Sequence, residues 1–516
     1  MTRGARLGVT VHLANALSRE RSRHPAIRIA AVLAFILGLG AAHGWVGLTI
    51  GGAAPALSPP TVGVYSALVA TSLLTLVGFL LVRGNIERDR RTRVGELFAA
   101  SSLSAPSYML AQFVANATLL CSLLACVVVG AFAVPGKSWA AELRTLSDVL
   151  LPVFLLAVPS LVFVAGIAVI LDASPVTSGA AGNVIFFIAW LALLSSSFGA
   201  SGGDFMGSGT VIASLKERTH LLIPPVSNDV ALFIDFPKPH RAYEWTGISW
   251  TTAIILQRML WLGAGLVVAL AAVPIGELLG GRATIFSAPI TASAPLPASI
   301  ESSFARWSAG PANAETSGLR AIIASELGVL QHDLRWWHVL ACAASVLAGI
   351  SSESGQAIHR ILPLAWLWPA GLLATIGSRE FVSGVDQILV TNSRATANRV
   401  IAASLAGVIL MAACGSGVLV RILLGGHSGL ILGWLGGALF VPALSLLLGE
   451  LSRSQRPFEA VYLLIWYLGP IHGNRALDFA GSTIERGNAT QGAFFVIVAV
   501  MMVGLVVWRR RQRNLV

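Results

Sequence analysis

Residues able to do chemistry are sparse in this chain. A phosphate cradle needs GxxxxGK[ST], in which a glycine-rich backbone wraps the phosphates and a lysine reaches them. The nearest stretch is Gly130 followed by Gly136-Lys137-Ser138, with one residue too many between the glycines. It follows an apolar run and not a soluble strand, so no nucleotide-binding loop is expected. The ten histidines are scattered, without HExxH, HxxE or paired carboxylates, which leaves hydrolytic and acid–base chemistry no constellation. Cys121, Cys126, Cys342 and Cys414 fall in apolar runs without a CxxC spacing and read as buried thiols, not metal ligands. What remains is Arg258 within an apolar run, and three aromatic groups: Phe186, Phe187 and Trp190; Trp366 and Trp368; Trp466 and Tyr467. A charge at the centre of a bilayer costs about 2.5–3.5 kcal/mol. Arg258 sits about 10 Å from one end of its run, at ~1.5 Å per residue. It is expected to snorkel to the outer surface, with a pairing or substrate role as the alternative. The aromatic groups suit a wall for large apolar ligands, or simply face lipid.

The elements that must position these residues follow from composition. The chain has 516 residues, 55% hydrophobic and 11% charged, against roughly 25% charged in a soluble domain. Mean hydropathy is +0.77. Such a chain has too little polar surface for a soluble enzyme, a disordered protein or a nucleic-acid binder. Long unbroken apolar runs disfavour a barrel. The expected fold is all-α and polytopic, with about 20 apolar residues per span. Twelve candidate spans are present, at 26–44, 61–82, 108–134, 149–171, 181–200, 251–276, 334–352, 360–377, 399–423, 427–449, 457–470 and 490–508. The run at 457–470 is short and is expected to continue into the following loop or to be partly re-entrant.

The net charge of +11 is carried mainly by arginines grouped before residue 29, in 83–93 and in 509–513. By the positive-inside rule this grouping places both termini in the cytoplasm of a multi-pass protein of the cell membrane. No cleavable signal is expected, because the first 24 residues are polar and basic. Asp172, Glu380 and Glu450 fall near inner span ends and are expected to be interfacial. Gly433 and Gly437 form a small-xxx-small pair suited to close helix packing.

The order of long and short loops repeats. Residues 1–276 read as a first six-span unit, with an amphipathic elbow helix in 1–24, a long inner loop at 83–107 and a large outer loop at 201–250. Residues 277–318, rich in Pro, Ser and Ala, read as a cytosolic linker. Residues 319–516 read as a second six-span unit, with a leading helix at 316–334 and a long inner loop at 378–398. In 316–334, Leu319, Ile322, Ile323, Leu327, Leu330 and Leu334 share one helical face. That face suits a helix lying along the membrane surface.

Loops of this length exceed what antiparallel spans require. Each holds a short helix-compatible stretch opened by an acid or amide, Glu96-Leu97-Phe98 in the first and Asp386-Gln387-Ile388-Leu389 in the second. Acids favour a helix's first turn. Ser104 before Pro106, and Thr391, Asn392 and Ser393 in the second loop, suit caps for the spans that follow. Either these are short helices that a cytosolic motor can push, or they are solvated connectors.

The run Arg90-Arg91-Thr92-Arg93-Val94-Gly95-Glu96-Leu97, followed by Ser104-Ala105-Pro106 and Tyr108, resembles the inner-loop motif of type 2 ABC exporter permeases. Two such units in one chain resemble the tandem permeases of bacterial, especially actinobacterial, export systems. The second loop departs from the motif, with Arg394 and Asn398 and no matching proline. The resemblance implies outer hairpins between the fifth and sixth spans, and coupling helices at 96–101 and 387–392. It also implies a partner, two copies of a cytosolic ATP-binding-cassette ATPase that bind ATP and magnesium. The chain itself would then be no enzyme and hold no cofactor. It further implies that the second and fifth spans of each unit face the path of a small hydrophobic substrate, which is where the aromatic residues above enter.

The rivals are a proton-coupled secondary transporter, whose spans would carry embedded acids, and a membrane enzyme acting on lipid-linked substrates. The expected span interiors here are nearly free of acids, which favours the exporter.

Overall fold

The computed structural model describes residues 3–51, 53–101, 103–133, 143–174, 177, 180–198, 204–222, 230–234, 241–280, 319–334, 336–382, 393–426, 428–471, 473–474, 476–482 and 489–513. The chain is mostly helical. It divides into two compact units, Met1–Ile290 and Thr291–Val516. The boundary falls inside the segment expected as a linker, of which 281–318 lie outside the described residues.

In the first unit α1 (Arg3–Ser22) and α2 (Pro25–His43) precede a long interrupted helix. The latter runs as α3 (Pro59–Val69), a π-helical turn (Ala70–Leu74) and α4 (Thr75–Val82). Two short helices follow, α5 (Asn85–Arg91) and α6 (Val94–Ala100), before α7 (Ala105–Phe132). Ser104 caps α7, its hydroxyl accepting from the Ser107 N–H, with Pro106 in the first turn as expected. Then come α8 (Leu143–Pro152), a π-turn (Val153–Ala157), α9 (Val158–Ala173), α10 (Ala180–Phe198), α11 (Ser208–Leu222) and α12 (Thr252–Gly280). The apolar face of α1 packs Leu13, Ala14 and Leu17 on Ala111 and Ala115 of α7.

Among the described residues, eight helices are long and apolar enough to cross a membrane, or ten if two bent pairs each count as one. The chain is a membrane-embedded helical protein on that ground. Pro25–His43, Pro59–Arg90, Ala105–Phe132, Leu146–Ala173 and Thr252–Ile275 are those of the first unit. The run expected at 181–200 is a shorter apolar stretch, Ile185–Ser197.

The first unit also holds strands, which the all-α expectation missed. β1 (Val46–Ile50), β2 (Ala53–Pro55), β3 (Val230–Ile234) and β4 (Arg241–Tyr243) form one sheet in the order β3-β1-β2-β4. β1 pairs antiparallel with β3, from Val46 opposite Ile234 to Ile50 opposite Val230. β2 runs parallel to β4. The sheet therefore ties the loop after α2 to the large 201–250 loop. Val46-Gly47-Leu48-Thr49-Ile50, just beyond the span expected at 26–44, has the β-branched content a strand favours. Burial pushes the Tyr243 phenol up.

In the second unit α13 (Leu319–Asp333) bends into α14 (Trp336–Ser351). The span expected at 360–377 is broken. A π-turn (Ala357–Ile361) leads to α15 (Leu362–Leu367), then a 52° bend at Trp368-Pro369, then α16 (Ala370–Ile376). Pro369 has no N–H to continue the ladder, and its ring collides with the preceding turn. The short α17 (Arg379–Val382) precedes the second long loop. α18 (Ser393–Leu424), α19 (Ser428–Ser452), α20 (Arg456–Trp466) with a π-turn (Tyr467–Ile471), and α21 (Ala489–Arg513) complete the unit.

Helices meet through glycine where backbones must touch. A methyl at Gly38 of α2 would lie 1.9 Å from the Val127 carbonyl oxygen of α7. Gly38→Val is therefore expected to destabilise the unit by at least the overpacking range of about 1–3 kcal/mol. A lowered unfolding midpoint in detergent would show it, and an unchanged midpoint would contradict this packing. The expected pair Gly433–Gly437 does sit at a close contact: a methyl on Gly437 would lie 2.4 Å from the Trp366 ring and 2.6 Å from the Phe479 carbonyl oxygen.

Candidate functional site

The first long loop begins where α4 ends, and its polar residues are not solvated. Gly84 turns the chain with φ +76°, a conformation glycine adopts without strain. The two N–H groups that follow the turn point at one carboxylate. The Gly84 and Asn85 amides donate to Asp172 Oδ2 at 2.6 and 3.2 Å, and Arg83 Nε lies 3.3 Å from Asp172 Oδ1. Arg83 also donates to the Asn183 side chain and the Thr177 carbonyl. Asp172 is 3% exposed, at the last turn of α9. At the span end where it was expected, it is buried in the protein and fully engaged. A buried carboxylate is stable only when paired and hydrogen-bonded, and this loop supplies both.

One helical turn on, Arg90 is buried and donates to the carbonyls of Asp172 (3.2 Å) and Ala173 (2.7 Å). An arginine at a helix C-terminus satisfies carbonyls the helix leaves open and complements its dipole. Asp89, on the adjoining face of α5, accepts from the Tyr108 hydroxyl (2.7 Å) and Gln112 Nε2 (3.2 Å) of α7. Arg21 of α1 donates to Gln112 and Asn116, and Arg88 pairs with Glu20 of α1 at 2.9 Å. The base of the loop is thus fixed to α1, α7 and α9 at once.

Among the described side chains of α6, no such ion pair is seen. Glu96 lies in the first turn of α6. Leu97 is 70% exposed, although it is apolar. Phe98 packs its ring 5.5 Å from Tyr108, so it anchors the helix onto the network. Glu96, Leu97 and Phe98 therefore stand together as expected, on a short helix with a fixed root and an apolar tip.

Asp386, Gln387, Ile388 and Leu389 lie outside the described residues. The chain leading into their loop carries its own ion pairs. Arg379 reaches Glu326 (3.6 Å) and Asp333 (3.8 Å) of α13. Arg510 of α21 reaches Glu380 (2.7 Å) and Glu450 (2.8 Å). Glu450 is 2% exposed near the end of α19, again buried and paired at the span end where it was expected.

The aromatic residues are placed in the interiors of their units. Phe186 stacks on Phe79, and Trp190 Nε1 donates to Thr75 Oγ1 at 3.0 Å. Phe187 stacks beside Trp190. In the second unit Trp466 Nε1 donates to the Pro363 carbonyl (2.8 Å) and the Tyr462 hydroxyl to the Trp366 carbonyl (2.7 Å). These carbonyls belong to the broken segment around Pro363 and Pro369. In a membrane such groups must find partners within the protein. Trp366 Nε1 itself donates to the Met411 carbonyl at 3.0 Å. Tyr467 is buried, and Trp368 lies at the break with His338 5.7 Å away. The rings brace a discontinuous helix, a role that hydropathy alone does not suggest.

Arg258 does not snorkel. It is fully buried, with Nη2 2.8 Å from Asp204 Oδ2 and Nη1 3.2 Å from the Phe205 carbonyl. Asp204 also accepts from the Gly209 and Thr210 amides at 2.9 and 2.8 Å, capping α11. The alternative of pairing is the one observed. Its partner lies 54 residues upstream in a loop, so spacing gave no sign of it. Asp89, Arg21 and Gln112 were missed for the same reason.

No family model, curated protein or solved structure matches this chain.

Proposed function

We propose that this chain is the transmembrane permease subunit of an ATP-binding-cassette exporter. It moves a small hydrophobic molecule, such as a drug, an antibiotic or a lipid-like compound, out across the cell membrane. Two copies of a separate ATPase, binding ATP and magnesium, supply the work. The observation that carries this reading is the contrast within 83–100. Buried Arg83, Asp89, Arg90 and Asp172 fix the loop's root, and Leu97 stands exposed at its tip. A solvated connector needs no buried ion pairs, whereas a lever that transmits a push must not deform at its base. Burying Leu97 in a partner's groove would remove that apolar surface from water.

The twelve-span, two-repeat arrangement draws support from within each unit. The second span carries a π-turn in both, Ala70–Leu74 and Ala357–Ile361. Such turns are frequent at functional sites. First and third spans meet through glycines in both: Gly38 against Val127 and Gly130 against Phe35 in the first unit, and Gly349 with Gly417 in the second. So do fourth and sixth, Gly166 with Gly265 and Gly436 with Gly492. Asp172 and Glu450 both end a fourth span and both hold an arginine. The fifth span of the second unit is then Arg456–Ile471, too short to cross unaided and completed by the loop after it. Both termini are cytoplasmic in this reading.

A proton-coupled transporter needs titratable acids free to exchange protons in mid-membrane. Asp89, Asp172, Asp204 and Glu450 are instead held by arginines or hydrogen-bond donors at helix ends and in loops. The deciding experiment is purification of the full chain with its ATPase, followed by transport in inverted vesicles. ATP depletion under an imposed proton gradient is expected to stop transport. Transport that persists on the gradient alone, without a bound ATPase, would favour the secondary transporter.

Leu97→Asp is expected to leave folding within about 0.5 kcal/mol, because the position is exposed. It should weaken ATPase binding by about 30-fold, the equivalent of a 2 kcal/mol interface hot spot. A pull-down titration measures this, and unchanged binding would remove Leu97 from the interface.

A further inference from the structure

In the second unit α14 and α18 run parallel along a seam with almost no layer of side chains between them. A methyl on Gly417 would lie 2.1 Å from the Val346 carbonyl oxygen, and one on Gly349 2.7 Å from the Val418 nitrogen. One turn back from the Val346–Gly417 contact, four residues in α14 and three in α18, stand Cys342 and Cys414. The two thiols are neighbours across this seam, close enough to interact. Both are free thiols, Cys414 buried and Cys342 half-buried. Helices usually pack with axes about 8–10 Å apart, whereas a disulfide needs Cα atoms about 4.4–6.8 Å apart. The glycine seam lets α14 and α18 approach more closely than usual helices do, which is what a bond between two helical cysteines requires.

We propose that Cys342 and Cys414 form a redox-modification site whose oxidant is a membrane-soluble quinone. An S–S bond forms as both S–H bonds break, and the two electrons and two protons pass to the quinone, which leaves as the quinol. Cys342 is six residues into α14 from Trp336, about 9 Å along the helix at ~1.5 Å per residue. A lipid-soluble acceptor reaches that depth, and water-soluble oxidants reach it poorly. The bridge would tie α14 to α18, the helix that leaves the second long loop, and would limit how far that loop can carry α18. The proposal concerns the thiols alone and does not depend on the transport reading.

The test uses the full-length chain, reduced and then reconstituted in lipid vesicles containing decylubiquinone. Non-reducing peptide mass spectrometry is expected to find a linked 342–414 peptide, lighter by two hydrogens than its parts. It should be lost on dithiothreitol treatment and absent from Cys342→Ser and Cys414→Ser. Cys121 and Cys126 of the first unit serve as internal controls and should remain alkylatable. If Cys342 and Cys414 are each still alkylated after quinone exposure, the proposal fails. It also fails if only copper–phenanthroline, and not the quinone, joins them. Circular dichroism of the serine variants verifies that a missing link is not a missing fold.

Discussion

Asp172→Ala is expected to destabilise the first unit by about 3–5 kcal/mol, the loss seen when one partner of a buried ion pair is removed. The substitution leaves the Arg83 guanidinium, 5% exposed on its side chain, without its counter-charge. It also orphans the Gly84 and Asn85 amides, which donate to the same carboxylate oxygen. Each buried donor left unmade adds a desolvation cost of about 1–3 kcal/mol, so the effect falls at the upper end of the range. Asp172→Asn keeps an acceptor oxygen but not the charge, and is expected to lose less. Equilibrium unfolding in detergent measures both. An alanine variant as stable as the parent would mean that the loop's root is not held by this carboxylate, and the lever reading would lose its base.

The second large effect is expected at Asp204, and it is asymmetric. Asp204→Ala strands Arg258, whose side chain is 0% exposed, at an expected cost of about 3–5 kcal/mol. Arg258→Leu should cost much less, because Asp204 keeps the Gly209 and Thr210 amides and the Thr210 hydroxyl. The double variant Asp204→Ala with Arg258→Leu should recover most of the loss. What remains should be about 1 kcal/mol, the worth of the cap lost from α11. The cycle isolates the ion pair from the cap. Equal losses for the two single variants, or a double variant no better than Asp204→Ala, would show that Arg258 is not held mainly by this carboxylate.

These two sites explain why the candidate functional region was only partly legible. The short helix with Glu96, Leu97 and Phe98 could be read from the loop's length, its leading acid and its following Ser-Ala-Pro, because all of these are local. The residues that make it rigid could not. Arg21 and Asn116 are 95 positions apart, Arg83 and Asn183 a hundred. Nothing in the spacing of a polar residue near a span end says whether it meets water or another polar residue. A rule that treats each helix as alone in the bilayer therefore gives Asp172 and Glu450 a span end but no partner, and sends Arg258 to the surface. The aromatic groups show the same limit: a tryptophan's apolar ring predicts burial, but the carbonyl its N–H will satisfy depends on where Pro363 and Pro369 break a different helix.

The amino-acid order alone determined that this is a membrane-embedded helical chain, and it placed eight of its long apolar helices to within a few residues. A run of about twenty apolar residues has one low-energy form in lipid, the hydrogen-bonded helix. It also determined the amphipathic α13 and the cap of α7, both short-range properties. Only the tertiary structure decided the break at Trp368-Pro369, the small sheet joining two loops, and the partner of each buried charge. The physical reason is one of range. Apolar burial depends on a residue's own side chain and its near neighbours, whereas an ion pair or a strand ladder exists only once distant segments have come within about 3 Å of each other.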